Sequence, residues 1–140
     1  MFSQRVRRVM EQEKLLTAAP DVTVAAAAQM MVGSRAGAVV VVDGGVVVGI
    51  FTERDAVSRV IAPGCDPQTT SLATVMTAAP LTIGPDKTFG HALRLMHEHG
   101  VRHMPVVEDG RPLGIVTSRN AMDPELEEFV VEALRREGSR

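Results

Sequence analysis

The sequence predicts an α/β protein built from two copies of one β-α-β-β-α unit. The segment LTAAPDVT at residues 16–23 aligns with LTIGPDKT at residues 81–88, and the register continues without a gap until residues 49–55 meet residues 114–120. Both copies show strand-like and helix-like patterns in the same order, and a segment rich in proline and glycine separates them. Because a repeat constrains the whole architecture, it takes precedence over any single motif.

The tetrapeptide TAAP also occurs twice, at residues 17–20 and 77–80, but it lies outside this register. Similarity stops directly after the second TAAP, and identical letters arise easily in a chain rich in alanine. We therefore interpret the TAAP pair as a coincidence and not as the mark of the repeat.

Each copy begins with a short apolar strand that ends at Pro-Asp, after which Thr23 or Thr88 caps an amphipathic helix. The apolar positions of these helices recur at helical spacing, at Val24, Ala27, Met30 and Met31 and at Phe89, Ala92, Leu95 and Met96. Two β-rich runs then predict a hairpin in each copy, at residues 38–42 with 46–51 and at residues 104–107 with 112–116. A second helix follows, from Thr52 to about Ile61 and from Thr117 onward.

These patterns divide the chain into a first repeat at residues 5–62, a linker at residues 63–71, a second repeat at residues 72–122, and a C-terminal helix and tail at residues 123–140. The residues Asp123 and Pro124 are typical of a helix start, so a helix is predicted from Glu125 to Arg136. Its apolar stripe suits packing on a partner or on the repeats and consists of Leu126, Phe129, Val130, Ala133 and Leu134.

The composition argues against several classes of function. With a net charge of −2 and no Trp or Tyr, the chain offers neither the basic surface nor the stacking side chains of a nucleic-acid binder. The single cysteine, Cys65, rules out an intramolecular disulfide and a cysteine-rich zinc site, which fits a reducing compartment. The N-terminus lacks a signal peptide's apolar core, and charges and glycines interrupt the apolar stretch from Val22 to Phe51. We therefore expect a cytoplasmic protein that contacts neither nucleic acid nor membrane.

Catalysis and metal binding find no support in the sequence. A P-loop, a dinucleotide-binding glycine motif and a nucleophile elbow are all missing, so no enzyme is expected, and Cys65 is interpreted as a passive linker residue. The histidines His91, His97, His99 and His103 all lie in the second repeat and raise a metal hypothesis. No cysteine joins them, and His97 and His99 do not share a face of the predicted helix. We therefore expect no metal.

The pair of repeats resembles tandem CBS domains, the Bateman module, and especially its small stand-alone bacterial members. The stretches that carry the resemblance are FTERDAV at residues 51–57, RHMPVV at residues 102–107, and GCDPQTT at residues 64–70 followed by VMT at residues 75–77. Both repeats also end in Gly-Ile-x-Thr-x-x-Asp or a near match. The resemblance covers about residues 5–122 and implies that two CBS repeats form one pseudo-two-fold module.

A regulatory role follows from the resemblance, because CBS repeats pack through their sheets and leave two clefts for adenine nucleotides or related adenosyl compounds. The regulatory ligands to consider are AMP, ADP, ATP, NAD and S-adenosylmethionine, and no cofactor is required. Since the repeats and terminal helices use up the 140 residues, we expect the output to pass through a homodimer or a separate protein partner. The alternative is a ligand-free protein–protein interaction module with vestigial clefts.

The resemblance also assigns candidate ligand-binding residues. The adenine is expected to lie against strand-one backbone and small apolar residues, namely Leu16, Thr17, Ala18 and Ala38. Asp55 is expected to accept hydrogen bonds from the ribose, while Thr52, Arg102 and His103 would meet the phosphates. The candidates for the second cleft are Thr82, Thr117 and Asn120. Local chemistry offers plainer alternatives: a capping box at Thr52 and Asp55, and a solvated arginine beside a satisfied histidine.

The two clefts are expected to be unequal. At the ribose position, Asp55 aligns with the neutral Asn120, which accepts only through one amide oxygen. The resemblance places Arg102-His103 at the cleft of Asp55, whereas the equivalent pair Gly37-Ala38 would serve the cleft of Asn120, with only Arg35 to compensate. We therefore expect stronger binding in the cleft of Asp55.

Overall fold

The computed structural model describes residues 2–121 and 134–138, which contain two similar α/β units. The elements of the first half are α1 (Val6–Val9), β1 (Thr17–Ala18), α2 (Val24–Ser34), β2 (Ala38–Asp43), β3 (Val46–Thr52) and α3 (Glu53–Asp55), the last continued by a π-helix at Ala56–Ile61. Those of the second half are α4 (Leu72–Val75), β4 (Thr77–Ala78), α5 (Phe89–His99), β5 (His103–Glu108), β6 (Arg111–Thr117) and a 3₁₀-helix at Ser118–Ala121. The predicted β-α-β-β-α order is confirmed, with the first strand of the second copy reduced to a bridge between Ile83 and Val106.

Threonine caps fix the starts of both long helices, as the sequence predicts. The side-chain oxygen of Thr23 accepts a hydrogen bond from the Ala26 amide, and that of Thr88 accepts one from the His91 amide, both at 3.2 Å. Each helix ends at a residue in the left-handed conformation, Arg35 in α2 and Gly100 in α5. The two copies therefore share their caps as well as their order of elements.

Both predicted hairpins form, since β2 pairs antiparallel with β3 and β5 with β6. They carry equivalent register shifts, between Val41 and Val42 and between Val106 and Val107. In the first repeat β1 joins β2 in parallel and β4 joins β3 antiparallel, which gives the sheet order β1-β2-β3-β4. The two TAAP copies thus begin on opposite edges of one sheet, which confirms that they are not equivalent.

The short segment that precedes each repeat packs against the other repeat. Val6 of α1 is fully buried in the core of the second repeat, in the same cluster as Phe89 and Met104. Leu72 of α4 is fully buried in the core of the first repeat, in the cluster that contains Phe51. Helix α1, at the start of the predicted first repeat, therefore completes the core of the second repeat. Helix α4, at the start of the predicted second repeat, completes the core of the first.

Backbone pairing anchors these crossing segments at equivalent places. The Glu11 amide donates to the Ile115 carbonyl at 2.8 Å, and the Ile115 amide donates to the Glu11 carbonyl at 3.0 Å. On the first repeat, Thr77 of β4 is the antiparallel partner of Ile50. Because Ile50 and Ile115 are aligned positions of the repeat, Glu11 and Thr77 occupy equivalent places on the two sheets.

Glycine allows this close approach on both sheets. A β-carbon built on Gly114 would lie 2.9 Å from the sulfur of Met10, and one built on Gly49 would overlap the side chain of Met76. A larger residue at Gly49 would force the Met76 side chain to move, and one at Gly114 would crowd both the Met10 side chain and the Glu11 carbonyl oxygen, which lies 3.1 Å from the built β-carbon.

A third hydrophobic cluster lies where the two sheets meet. It contains Ala38, Val40 and Ile50 from the first repeat together with Ile115 from the second. The repeats thus share an apolar contact next to the residues that begin β2 and end β6.

Three elements, α1, α4 and β4, are not predicted from the sequence. The helix predicted from Thr52 to about Ile61 is present, with π-helical geometry over Ala56–Ile61. All three missed elements are two to four residues long, too short for a helical or alternating pattern to show. The predicted tail helix from Glu125 to Arg136 lies outside the described residues except for its last three positions. Residues 134–138 are helical, with the Leu134 side chain exposed.

Replacing Leu72 with alanine should destabilise the first repeat although Leu72 precedes the second. The change removes a fully buried side chain and leaves a cavity, so the free energy of unfolding should fall by about 2–5 kcal/mol in urea denaturation. The control Lys87→Ala, at an exposed position outside the apolar clusters, should change it by less than about 0.5 kcal/mol. A Leu72→Ala protein as stable as the control would contradict the packing of Leu72 in the core of the first repeat.

Candidate functional site

A cavity of about 550 Å³ opens between the two repeats. Its volume lies within the range of small-molecule sites. The residues that line it come from three parts of the chain: Val9, Glu11 and Lys14; Arg35, Ala36, Gly37 and Ala38; and Arg102, His103, Ile115, Thr117, Ser118, Arg119 and Asn120. The crossing N-terminal segment, the turn from α2 into β2, and the second repeat therefore build it together.

The charged side chains of this cavity are mostly cationic. The four cations are Lys14, Arg35, Arg102 and Arg119, and Glu11 is the one carboxylate among the lining residues that the structure describes. A concave site with this excess of positive charge attracts anions and raises their local concentration. Arginine also matches the geometry of phosphate oxygens through its planar set of donors.

Small apolar residues form another part of the wall. Ala36, Gly37 and Ala38 lead from α2 into β2, and Ile115 and Val9 add apolar surface from β6 and α1. Ala36, Ala38 and Ile115 are buried among their protein neighbours. Such a surface accommodates a flat ring next to the cationic part of the site.

His103 lies against Gly37, where a β-carbon would come within 2.8 Å of the imidazole Nε2. Burial lowers the pKa of His103 below its ordinary value of 6.5; the Glu53 and Glu11 carboxylates oppose this shift, whereas Arg102 adds to it. The ring is therefore mostly neutral at pH 7, with one nitrogen donating and the other accepting.

Asn120 is held in place by the end of β6. Its Oδ1 accepts hydrogen bonds from the Thr117 amide at 2.9 Å and from the Thr117 hydroxyl at 3.3 Å. Its Nδ2 donates to Oε1 of Glu11 at 3.3 Å. The amide therefore links the second repeat to the crossing N-terminal segment at the edge of the cavity.

Asp55 makes the equivalent contacts in the first repeat. Its Oδ2 accepts from the Thr52 amide at 3.0 Å and from the Thr52 hydroxyl at 3.2 Å, and its own amide donates back to that hydroxyl oxygen at 3.2 Å. These bonds confirm the capping box at Thr52 and Asp55. The remaining oxygen, Oδ1, lies 3.6 Å from Nε of Arg59.

The structure brings together five of the candidate ligand residues: Ala38, Arg102, His103, Thr117 and Asn120. The other six are not among the residues that line this cavity: Leu16, Thr17, Ala18, Thr52, Asp55 and Thr82. The pair Arg102-His103, which the sequence analysis placed at the cleft of Asp55, lines the cavity beside Asn120. Arg35 also lies there, as expected for the cleft of Asn120.

Three charged residues of the cavity, Glu11, Lys14 and Arg119, are not predicted from the sequence. Glu11 and Lys14 precede the aligned part of the first repeat, and they reach the site only because the N-terminal segment crosses to the second repeat. One signal was available. The dipeptide Val-Met occurs at residues 9–10 and again at residues 75–76, in the two segments that occupy equivalent places.

Fold and site together describe a paired β-α-β-β-α module with a cavity at its centre. The model of the CBS domain family matches residues 6–62 and 72–124, and the chain therefore belongs to the CBS domain family. It is a tandem CBS module, as the resemblance of its motifs implied.

Individual proteins agree with this assignment. The CBS domain-containing protein YhcV of Bacillus subtilis is 34% identical over 103 residues, which cover 74% of this chain and 73% of YhcV. An uncharacterized conserved protein from Pyrococcus horikoshii has a similar crystal structure, with a TM-score of 0.79, 32% identity, and coverage of 92% of this chain and 94% of that one. Other curated relatives are longer, and the aligned part spans between 9% and 45% of four of them.

A third similar protein has been crystallised with ligands. The CBS domain pair of protein MJ0100 was solved in complex with 5′-methylthioadenosine and S-adenosyl-L-methionine. It is 25% identical to this chain, with a TM-score of 0.74, and the match covers 84% of this chain and 95% of that one.

Within residues 2–121 and 134–138, no group of three or more His, Cys, Asp or Glu side chains is arranged to hold a metal ion. The same ranges contain no helix with the length and apolar character that a membrane crossing requires.

The environment of His103 predicts how its titration responds to mutation. Replacing Glu53 with glutamine should lower the pKa of His103 further, because the Glu53 carboxylate favours the imidazolium form. Replacing Arg102 with glutamine should raise it, because a neighbouring cation is removed. NMR of the His103 ring measures both shifts, with Glu13→Gln, at an exposed position outside the cavity, as the control. An unchanged His103 pKa in the Glu53→Gln protein would contradict the interaction between the Glu53 carboxylate and the His103 ring.

Proposed function

We propose that this protein is a regulatory module that senses an adenine nucleotide in the cavity beside Asn120. The observation that carries the proposal is the charge of the cavity, in which four cations and one carboxylate lie next to a wall of small apolar residues. The adenosyl ligands of the similar MJ0100 domain pair support the adenosine part of the proposal. The cations of this chain support the phosphate part.

The cavity offers a separate surface for each part of a nucleotide. The base is proposed to lie on the apolar wall at Ala36, Ala38 and Ile115, where burial of its ring is favourable. The phosphates are proposed to meet Arg102 and Arg119, whose guanidinium groups are exposed and able to turn toward a ligand. A positively charged adenosyl compound such as S-adenosylmethionine would gain less from these cations than ATP, ADP or AMP.

This proposal reverses the relative affinities expected from the sequence, in which the cleft of Asp55 was to bind ligand more strongly than the cleft of Asn120. The cleft of Asp55 was favoured because it carries a carboxylate and because Arg102 and His103 were expected to serve it. Both of these side chains line the cavity of Asn120, so that support now belongs to the second cleft. The Asp55 carboxylate is meanwhile engaged by its capping box and by Arg59.

The output is proposed to pass through a second copy of the chain. Val57 and Ile61, one turn apart on the continuation of α3, are 58% and 70% exposed, and Val32 on α2 is 80% exposed. Large apolar side chains in such positions are typical of surfaces covered by a partner. A nucleotide that binds one arrangement of the paired copies better than another would shift their populations. We also propose that the protein is cytoplasmic and that it regulates without catalysing a reaction.

The second candidate function is a ligand-free interaction module. The exposed Val32, Val57 and Ile61 favour it as much as they favour a dimer, because an exposed apolar surface suits contact with a protein partner whether or not a ligand binds. The cationic cavity has no role in that account, so ligand binding discriminates between the two functions.

The first test is a thermal melt with AMP, ADP, ATP, NAD or S-adenosylmethionine. A ligand at about 100 times its dissociation constant should add about 2.7 kcal/mol to the free energy of unfolding and raise the melting temperature. The phosphorylated adenosines should give the larger shifts. If none of the five compounds shifts the melt, the interaction module is the better account.

Calorimetry with the Arg102→Ala protein locates the binding site. Loss of a charge-assisted hydrogen bond should weaken ATP binding roughly tenfold to a hundredfold while adenosine is unaffected. Arg94→Ala is the matched control, since Arg94 lies on α5 outside the cavity, where it pairs with Glu98 at 3.8 Å. Equal ATP affinities of the two variants would contradict phosphate binding at this cavity.

Light scattering tests the proposed dimer. At micromolar concentration we expect twice the 15.0 kDa mass of one chain. Changing Val57 and Ile61 together to aspartate should reduce the mass to 15.0 kDa, because burying an unpaired carboxylate in an apolar contact is unfavourable. A double variant that remains dimeric would assign the contact to another surface.

A further inference from the structure

The two repeats of this protein differ in where they carry a carboxylate. In the first repeat the carboxylate belongs to Asp55, the third residue of α3, and the segment that crosses to this repeat carries Thr77. In the second repeat the aligned position is Asn120, and the crossing segment carries Glu11. Glu11 and Thr77 occupy equivalent places because they pair with the aligned residues Ile115 and Ile50.

Asn120 has no acceptor left for a ligand. Its single amide oxygen already accepts the amide and the hydroxyl of Thr117, which uses both lone pairs of that oxygen. The other terminal atom of the side chain, Nδ2, only donates and is directed to Glu11. A sugar hydroxyl that needs an acceptor in this cavity therefore cannot find it at Asn120.

Glu11 is well placed to provide the acceptor. Its backbone is fixed by two hydrogen bonds to Ile115, its side chain is half-buried at the cavity wall, and its Oε1 is held by Asn120. Within the described residues no hydrogen bond involves the second oxygen, Oε2. Glu11 is also the one carboxylate among the described lining residues.

We propose that Glu11 accepts hydrogen bonds from the ribose hydroxyls of the nucleotide and so determines the preference of this cavity for ribonucleotides. The inference rests on the proposed function, because it concerns the same cavity and the same class of ligand. Asn120 acts in it as a positioning residue, which holds the Glu11 carboxylate through Nδ2.

The test compares AMP, ADP and ATP with their 2′,3′-dideoxy counterparts by calorimetry. The wild-type protein should bind each ribonucleotide roughly tenfold to a hundredfold more tightly than the matching dideoxy compound. In the Glu11→Gln protein this preference should be largely lost. Taking the ratio of two ligands removes the effect of the Glu11 charge on the phosphates, because that effect is common to both.

Two further variants sharpen the test. Glu13→Gln removes a carboxylate two residues away, at an exposed position outside the cavity, and should keep the full ribose preference. The double variant Glu11→Thr with Asn120→Asp reproduces the Asp55 and Thr77 arrangement and should regain the preference that Glu11→Thr alone loses.

The outcomes separate this inference from the proposed function. If wild-type protein binds the ribonucleotides with the stated preference and Glu11→Gln keeps that preference, the role of Glu11 is wrong and the nucleotide function stands. Equal binding of ribo and dideoxy compounds by the wild-type protein would also overturn the role of Glu11 alone. If the wild-type protein binds none of these nucleotides, the proposed function and the inference both fail.

Discussion

The crossing of the two leading segments is the constraint on which the rest of this structure depends. Each repeat alone lacks one edge of its sheet and one wall of its core, and the segment before the other repeat supplies both. The Glu11 pairing with Ile115 and the Thr77 pairing with Ile50 fix the two exchanges at equivalent places. Neither repeat can be completed without residues from the other side of the module, so the pair should behave as one unit.

The same crossing builds the candidate site. Because α1 packs on the second repeat, Val9, Glu11 and Lys14 come to line a cavity whose other walls belong to the α2–β2 turn and to the end of β6. A shift of the N-terminal segment would change the position of the Glu11 carboxylate and, through Nδ2, of Asn120. The arrangement therefore connects the wall of the cavity to the packing between the repeats. A ligand that binds one packing arrangement better than another would shift their populations, as the proposed function requires.

The sequence was informative wherever a pattern is local or repeated. The caps at Thr23 and Thr88, both hairpins and the capping box at Thr52 and Asp55 follow from side-chain chemistry within a few residues, and all of them are present. Glu11 and Lys14 could not be assigned in this way. Their role depends on a crossover made by a four-residue helix, and the repeat alignment begins only after them.

The central claim is that an adenine nucleotide binds beside Asn120, and a crystal structure of the protein grown with ATP tests it most directly. The account predicts density for the nucleotide in the cavity, with its phosphates near Arg102 and its base against Ala36 and Ala38. Density beside Thr52 and Asp55 in place of this cavity would contradict the account, as would crystals grown at saturating ATP that contain no nucleotide.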